Sequence, residues 1–318
     1  MSAYDNEISL RLDNPPGAGG EETAGGEPAA YEREITYAGR FSEDWLVGPA
    51  VNGGVVMALG LAGLSAAMRA AGADADVIAF SAVFPSASAP GPVEVLPEVL
   101  RIGRRISTGA VRVVQTEPDG AGGTRRVERI RLLATHADLA QHSEPLHRQA
   151  DPPAMPPPEE CIPATREVGS FAAPIAILDR IDLRLDPATA GFGVGAPTGA
   201  GELRGWIRFV DGRDPDAASL PFFLDAFPPV TFDLGAYAWA PTLEFSGHVR
   251  ARPAPGWLRV RTTTTNVAGG LFEEDCVLWD ATDRVVAQSR QLAGVRMPES
   301  PPAEQAPVRG AVADGGGE

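Results

Sequence analysis

Hydrophobic positions along the chain follow two different periods. Residues 52–72, NGGVVMALGLAGLSAAMRAAG, are apolar on nearly every face of a helix. That predicts a helix enclosed by the rest of the molecule rather than lying on its surface. Asn52 is placed to cap its start and Gly72 to end it. Gly60 and Gly63 each cost up to ~1 kcal/mol against alanine inside a helix, so they predict close approach of another backbone. The apolar run from Val55 to Met68 is shorter than the roughly twenty residues of a bilayer span, and it reads as a buried core helix.

After this helix the period falls to two. VIAFSAVFP, GPVEVLPEVLRIG, RRISTGAVRVVQTE and TRRVERIRLLATH alternate apolar with polar residues, the last two separated by the turn PDGAGG. Pro97 inside the second of them marks an edge or a bulge. The same order returns later. IAILDRIDLRLD and GELRGWIRFV precede a short helix in DAASLPFFLDAFPP, and four more strand candidates follow between Ala240 and Met297. The prediction is an α+β fold in two matched halves, each a helix wrapped by a curved antiparallel sheet: residues 31–141 and 171–298. Proline-rich residues 142–170 read as a linker. The glycine- and glutamate-rich residues 1–30 and the tail 299–318 are expected to be disordered.

Composition narrows the function. The formal net charge is −15, which disfavours nucleic acid as a partner, and no membrane partner is expected. All 27 basic side chains are arginine. Arg101, Arg104 and Arg105 form a local cluster able to hold phosphate oxygens in pairs. Two cysteines, Cys161 and Cys276, are too few for a disulfide framework, and no secretory leader opens the chain, so a reducing cytoplasm is the expected location.

One acid stands out. Asp225 follows Phe222-Phe223-Leu224 and precedes Ala226-Phe227-Pro228-Pro229, which puts a carboxylate in the last turn of a helix and among apolar side chains. The helix dipole opposes its charge there, and burial raises its pKa. Such an acid suits a base that takes a proton from water near neutral pH. Its ordinary alternative is a carboxylate paired with an arginine or with backbone N–H groups. Asn52, Gly53 and Gly54 open the long helix, where unpaired backbone N–H groups can receive an oxyanion or substrate. Trp45 and Gly48 are candidates for the same cleft. The glycine-rich stretches have no Lys-Ser/Thr after them, and there is no Gly-x-Ser-x-Gly elbow. The four histidines have no metal spacing, FEEDC (residues 272–276) reads as a solvated face or turn, and no histidine is placed near either helix.

Several strings carry a family resemblance. VLRIGRRISTGAVRVVQ, SLPFFLDAFPP, WAPTLEFSGHVR and VVAQSRQLAGVRM, in this order and spacing from Phe41 to Met297, resemble the double-hotdog acyl-CoA thioesterases of the acyl-CoA thioesterase II type. The resemblance implies a tandem hotdog fold and hydrolysis of acyl-CoA to free acid and CoA by direct attack of water. It maps the family's Asp, Thr and Gln onto Asp225, Thr242 and Gln291. Asp225 is then the base, and Thr242 and Gln291 orient the water. The family's histidine-rich stretch is reduced here to His248, which leaves the substrate open. No cofactor or metal is implied, and the CoA phosphates would meet surface arginines such as Arg101, Arg104 and Arg105. Monomer and homodimer of double-hotdog units both remain open. The rival reading is a non-catalytic acyl-CoA or acyl-ligand binding protein of the same fold. An acyl-transfer or dehydratase hotdog ranks last, because it needs a histidine at the helix.

Overall fold

The computed structural model describes residues 1–14, 35–142, 146–165 and 175–298. The first half contains β1 (Thr36–Phe41), α1 (Gly53–Ala70), β2 (Asp76–Val83), β3 (Gly91–Arg101), β4 (Ser107–Pro118) and β5 (Thr124–Ala137). The second contains β6 (Ile181–Leu185), β7 (Glu202–Phe209), α2 (Leu220–Phe223), β8 (Thr242–Val249), β9 (Leu258–Thr263), β10 (Leu271–Trp279) and β11 (Val285–Gly294). One antiparallel sheet runs through both, in the order β1-β3-β4-β5-β2-β8-β11-β10-β9-β7-β6, with short strands Arg11–Asn14 and Ile162–Pro163 on its ends.

The halves meet at the β2–β8 pair, and outward from that seam their strands follow the same plan. Phe80 of β2 and Phe245 of β8 stack face to face across it, centroids 6.0 Å apart. Register extends the match. Phe80 pairs with Ala134 as Phe245 pairs with Gln291. Ala134 pairs in turn with Gly109, as Gln291 pairs with Glu274. Each half even carries the same irregularity, between Val77 and Ala79 in β2 and between Thr242 and Glu244 in β8. Repetition at the level of single residues makes a repeated architecture, although few of the repeated residues are alike.

The long helix forms as its pattern predicts. Asn52 Oδ1 accepts from Val55 N at 3.1 Å, and Gly72, just past the end, takes φ +89°. Twelve of its residues, from Gly54 to Met68, are buried. It is long and apolar enough to pass for a membrane span, but two-thirds of it is enclosed by β2–β5 and α2. What approaches Gly60 and Gly63 is side chain rather than backbone: a Cβ would lie 3.0 Å from Leu132 Cδ1 and 2.5 Å from Val95 Cγ1. Pro97 lies beyond the last β1–β3 pair, Tyr37 with Val95, so its missing N–H removes no ladder bond on that side.

Two expectations are corrected. The start of the chain is ordered: Ala3–Glu7 is helical with a Ser2 capping box. Tyr4 is fully buried against Trp45, Phe209 and Phe222, because one aromatic ring supplies enough apolar area to anchor a short polar segment. Residues 15–30 and 299–318 of the expected tails lie outside the described residues. The described part of the linker is also fixed. Ala150 and Pro156 carbonyls accept from Trp279 and Trp206 indoles at 3.0 and 2.9 Å, and Ile162–Pro163 pairs with β6. The short helix expected in the second half is present as a single turn, α2.

Candidate active site

Asp225 lies just past α2, after its C-cap Leu224, its own N–H bonded to Phe222 O at 3.1 Å. The chain then turns away at Pro228 and Pro229, and this delivers the carboxylate to the start of α1. Oδ2 accepts from Gly54 N at 2.7 Å and from Asn52 Nδ2 at 3.3 Å. Asn52 Nδ2 also donates to the Asp225 carbonyl at 3.0 Å. The glycines make this approach feasible. A Cβ on Gly53 would sit 2.9 Å from Asp225 Oδ2, and one on Gly54 would sit 2.7 Å from Phe222 O. Both accepted bonds fall on Oδ2; Oδ1 takes none from the described residues. Burial pushes the Asp225 carboxyl up to about 7, against the lowering effect of the Gly54 and Asn52 bonds. No arginine forms an ion pair with it among the described residues. The alternative of backbone pairing is met in part, by Gly54, and a single such bond does not offset the desolvation.

Thr242 and Gln291 come to the same place from β8 and β11. The β8 irregularity at Thr242 re-aims the strand where its neighbours would keep strict alternation. Thr242 Oγ1 donates to Gln291 Oε1 at 2.7 Å. Gln291 is 8% exposed, on the inner face of β11 rather than towards solvent. Its amide nitrogen donates to Glu274 Oε1 at 2.8 Å, and Glu274 Oε2 accepts from Val230 N at 2.7 Å. Glu274 corrects the reading of FEEDC. That segment is in β10, and Glu274 is 4% exposed. Burial pushes its carboxyl up to about 7 as well, with the nearby Asp225 charge adding to the rise. The missed signal was a period of two: Phe272, Glu274, Cys276 and Leu278 share one face of the strand, and the other three are buried.

These groups line one cavity of about 690 Å³ between the halves. Asn52, Gly53, Asp225, Thr242, Glu274 and Gln291 lie on its wall. The rest is mainly apolar, with Val56, Phe84, Leu183, Phe227, Phe232 and Phe272 among its lining. No arginine or histidine appears among the described residues that line it. The volume suits a ligand of drug size.

An acyl-CoA thioesterase N-terminal domain model matches residues 41–137, and the C-terminal domain model of the same family matches residues 152–295. The chain belongs to the acyl-CoA thioesterase family. An uncharacterized protein of Mycobacterium tuberculosis is 30% identical over 277 residues, covering 81% of this chain and 90% of its own length. A solved structure described as a putative thioesterase II from Thermobifida fusca superposes with a TM-score of 0.74 at 29% identity, covering 93% of this chain and 98% of that one. A hot dog fold protein of unknown function from Alicyclobacillus acidocaldarius gives a TM-score of 0.73 at 18% identity, with 94% and 99% covered.

Other residues of this thioesterase-family chain fall elsewhere. Gly48 lines the cavity, whereas Trp45 is buried beside Phe222 and Tyr4. Arg101, Arg104 and Arg105 line a separate cleft at the β3–β4 hairpin. That hairpin leads into Gly109, which sits against Leu64 and Met68 near the far end of α1. His248 points outward from β8 and does not line the cavity. A histidine does reach a helix, contrary to expectation: His136 Nε2 is 3.1 Å from Ser65 Oγ of α1. The sheet curls around the helix and so brings β5 against it, a contact that sequence separation hides. His136 is absent from the cavity lining, and burial lowers its pKa to about 4.

Proposed function

We propose that this protein is a tandem hotdog enzyme that hydrolyses acyl-CoA thioesters by direct attack of water. The observation that carries this reading is that Asp225, Thr242 and Gln291 all line one mainly apolar cavity, with a hydrogen bond joining Thr242 to Gln291. Asp225 is the general base. A carboxylate whose pKa is near 7 is ionised enough to accept a proton at neutral pH and basic enough to take it from water in the transition state. The water oxygen bonds to the thioester carbonyl carbon while its proton passes to Asp225. The C–S bond then breaks, and the CoA thiolate regains a proton from Asp225. The products are the free acid and CoA.

The oxyanion role narrows from the sequence-based candidates Asn52, Gly53 and Gly54 to one of them. Gly54 N–H is committed to Asp225 and Val55 N–H to Asn52. The first turn of a helix leaves its N–H groups without intrahelical partners. Gly53, whose backbone lines the cavity, is therefore the donor assigned to the developing negative charge. The acyl chain lies against Phe227, Phe232 and Phe272. The phosphates of CoA remain outside, since the described lining residues offer no cation.

The test is release of free thiol from acyl-CoAs of graded chain length. Turnover that peaks at one chain length is expected. Failure to release thiol from any of them, with acyl-CoA still raising the melting temperature, would replace hydrolysis by non-catalytic acyl-ligand binding.

A further inference from the structure

Glu274 has no part in the water-attack scheme above, yet it is buried at the centre of the site. Both its oxygens are engaged, and both face donors. Val230 offers a backbone N–H, which can only donate, to Oε2 at 2.7 Å. In the ionised form the other oxygen is an acceptor too, and it meets the Gln291 amide at 2.8 Å. A side-chain amide has two unlike ends, and which end faces which neighbour is decided by those neighbours. An ionised carboxylate accepts only, so it demands the NH₂ end. The amide oxygen is then left for Thr242, 2.7 Å away, and the single proton of the Thr242 hydroxyl goes to it. With that proton spent, Thr242 Oγ1 has only lone pairs to offer into the cavity.

We propose that Glu274 is a positioning residue for the hydrolysis: it fixes the orientation of the Gln291 amide and thereby makes the Thr242 hydroxyl an acceptor towards the attacking water. The role rests on the thioesterase reading. It also ties the site together mechanically, because Val230 lies on the segment that carries Asp225 out of α2, while Gln291 lies on β11. One carboxylate thus holds the water-orienting pair and the segment of the base in a common frame. The first half has Gly109, Ala134 and Val77 at the matching positions, which carry no polar side chain.

Glu274→Gln tests the inference. The amide keeps the shape but offers one acceptor to two donors. The conflict is relieved when Gln291 turns over, places its oxygen on the new NH₂ and sends its own NH₂ to Thr242. The hydroxyl then donates towards the water, and the orientation of the nucleophile is lost. kcat is expected to fall on the order of 10²-fold, with KM within twofold of the wild type. A purely structural role would not give that split. A variant that keeps kcat within twofold overturns the proposal.

A second measurement stands apart from turnover. In protein labelled with ¹⁵N-glutamine, with Gln291 assigned by its loss in Gln291→Met, one side-chain amide proton should be shifted downfield and protected from exchange. A Gln291 amide at the position and exchange rate of a free glutamine overturns the proposal even where Glu274→Gln fails to fold. If the wild type hydrolyses no thioester, the thioesterase reading fails and the positioning role falls with it. The amide signal then still reports whether the Glu274–Gln291 bond exists.

Discussion

In the first half, Gly109 sits beneath α1, where a Cβ would come within 2.6 Å of Met68 and 2.7 Å of Leu64. At the matching register of the second half stands Glu274, with a cavity in front of it instead of a helix. The same holds across the strands. Val77 and Ala134 occupy the positions of Thr242 and Gln291. A helix of 18 residues fills the first sheet, and a helix of four leaves the second partly empty. The site exists where the repeated plan was left unfilled, and the polar residues are those that line the gap. One half supplies packing and the start of α1, and the other supplies Asp225, Thr242, Gln291 and most of the apolar wall.

The sharpest way to break this comparison is Asp225→Asn. Both bonds that the carboxylate accepts fall on Oδ2, so an amide oxygen can take its place without disturbing Gly54 or Asn52. Loss of the base is expected to lower kcat by about 10²–10⁴-fold, measured as thiol release. If turnover survives, the base lies elsewhere and the division of labour between the halves collapses. The same variant carries an opposite signal in stability. Asp225 is raised from 3.8 to about 7 on folding. Between those values the folded state holds a proton that the unfolded chain has released, so the contribution is fully present below the unfolded value and lost as pH rises through about 7. The asparagine variant should therefore melt above the wild type at pH 8 and match it near pH 4.

The pH dependence of the rate has its own sign. The carboxylate is the working form, so kcat/KM should fall at least tenfold per unit as pH drops below about 7, and level off above it. Glu274, raised to about 7 as well, makes the fall steeper when it takes up its own proton. A profile flat from pH 5 to 8 would contradict both assignments.

Much of this arrangement is legible in the chain, for reasons that differ by residue. The buried helix and its caps show because Asn52, the apolar run and Gly72 agree with one another. Asp225 shows because a charge among Phe222, Phe223 and Phe227 has no stabilising excuse. Thr242 and Gln291 show only through resemblance, since a threonine in a strand and a glutamine between Arg290 and Leu292 look ordinary. Glu274 is masked by its neighbours: Glu273 and Asp275 suggest a solvated run, and only the alternation with Phe272, Cys276 and Leu278 says otherwise. Tyr4 and His136 depend on contacts with residues remote in sequence, and local patterning holds no record of them.

Filling the comparison from the other side gives a smaller effect. Gly109→Glu places the second half's acid at the first half's equivalent position, against Leu64, Met68 and the Glu98 carbonyl. Overpacking of this kind typically costs about 1–3 kcal/mol, and burying an unpaired carboxylate adds to it. The melting temperature should drop by several degrees with no new activity. A neutral outcome would mean that α1 gives way readily, and that the first half is not the filled counterpart it looks to be.

The smallest effect concerns the arginines of the β3–β4 hairpin. Arg101, Arg104 and Arg105 gather there as a cluster fit for phosphate, but they lie in a cleft separate from the cavity. The helix measures the separation. Gly54 bonds Asp225 at one end, Met68 touches Gly109 near the other, and at 1.5 Å per residue the two are about 21 Å apart. Changing all three arginines to glutamine should leave KM for acyl-CoA within about twofold at 0.15 M salt, where exposed charges are screened beyond about 8 Å. A KM that rises tenfold, and rises further with ionic strength in the wild type, would assign the CoA phosphates to the first half. The packed half would then bind the carrier while the open half performs the cleavage.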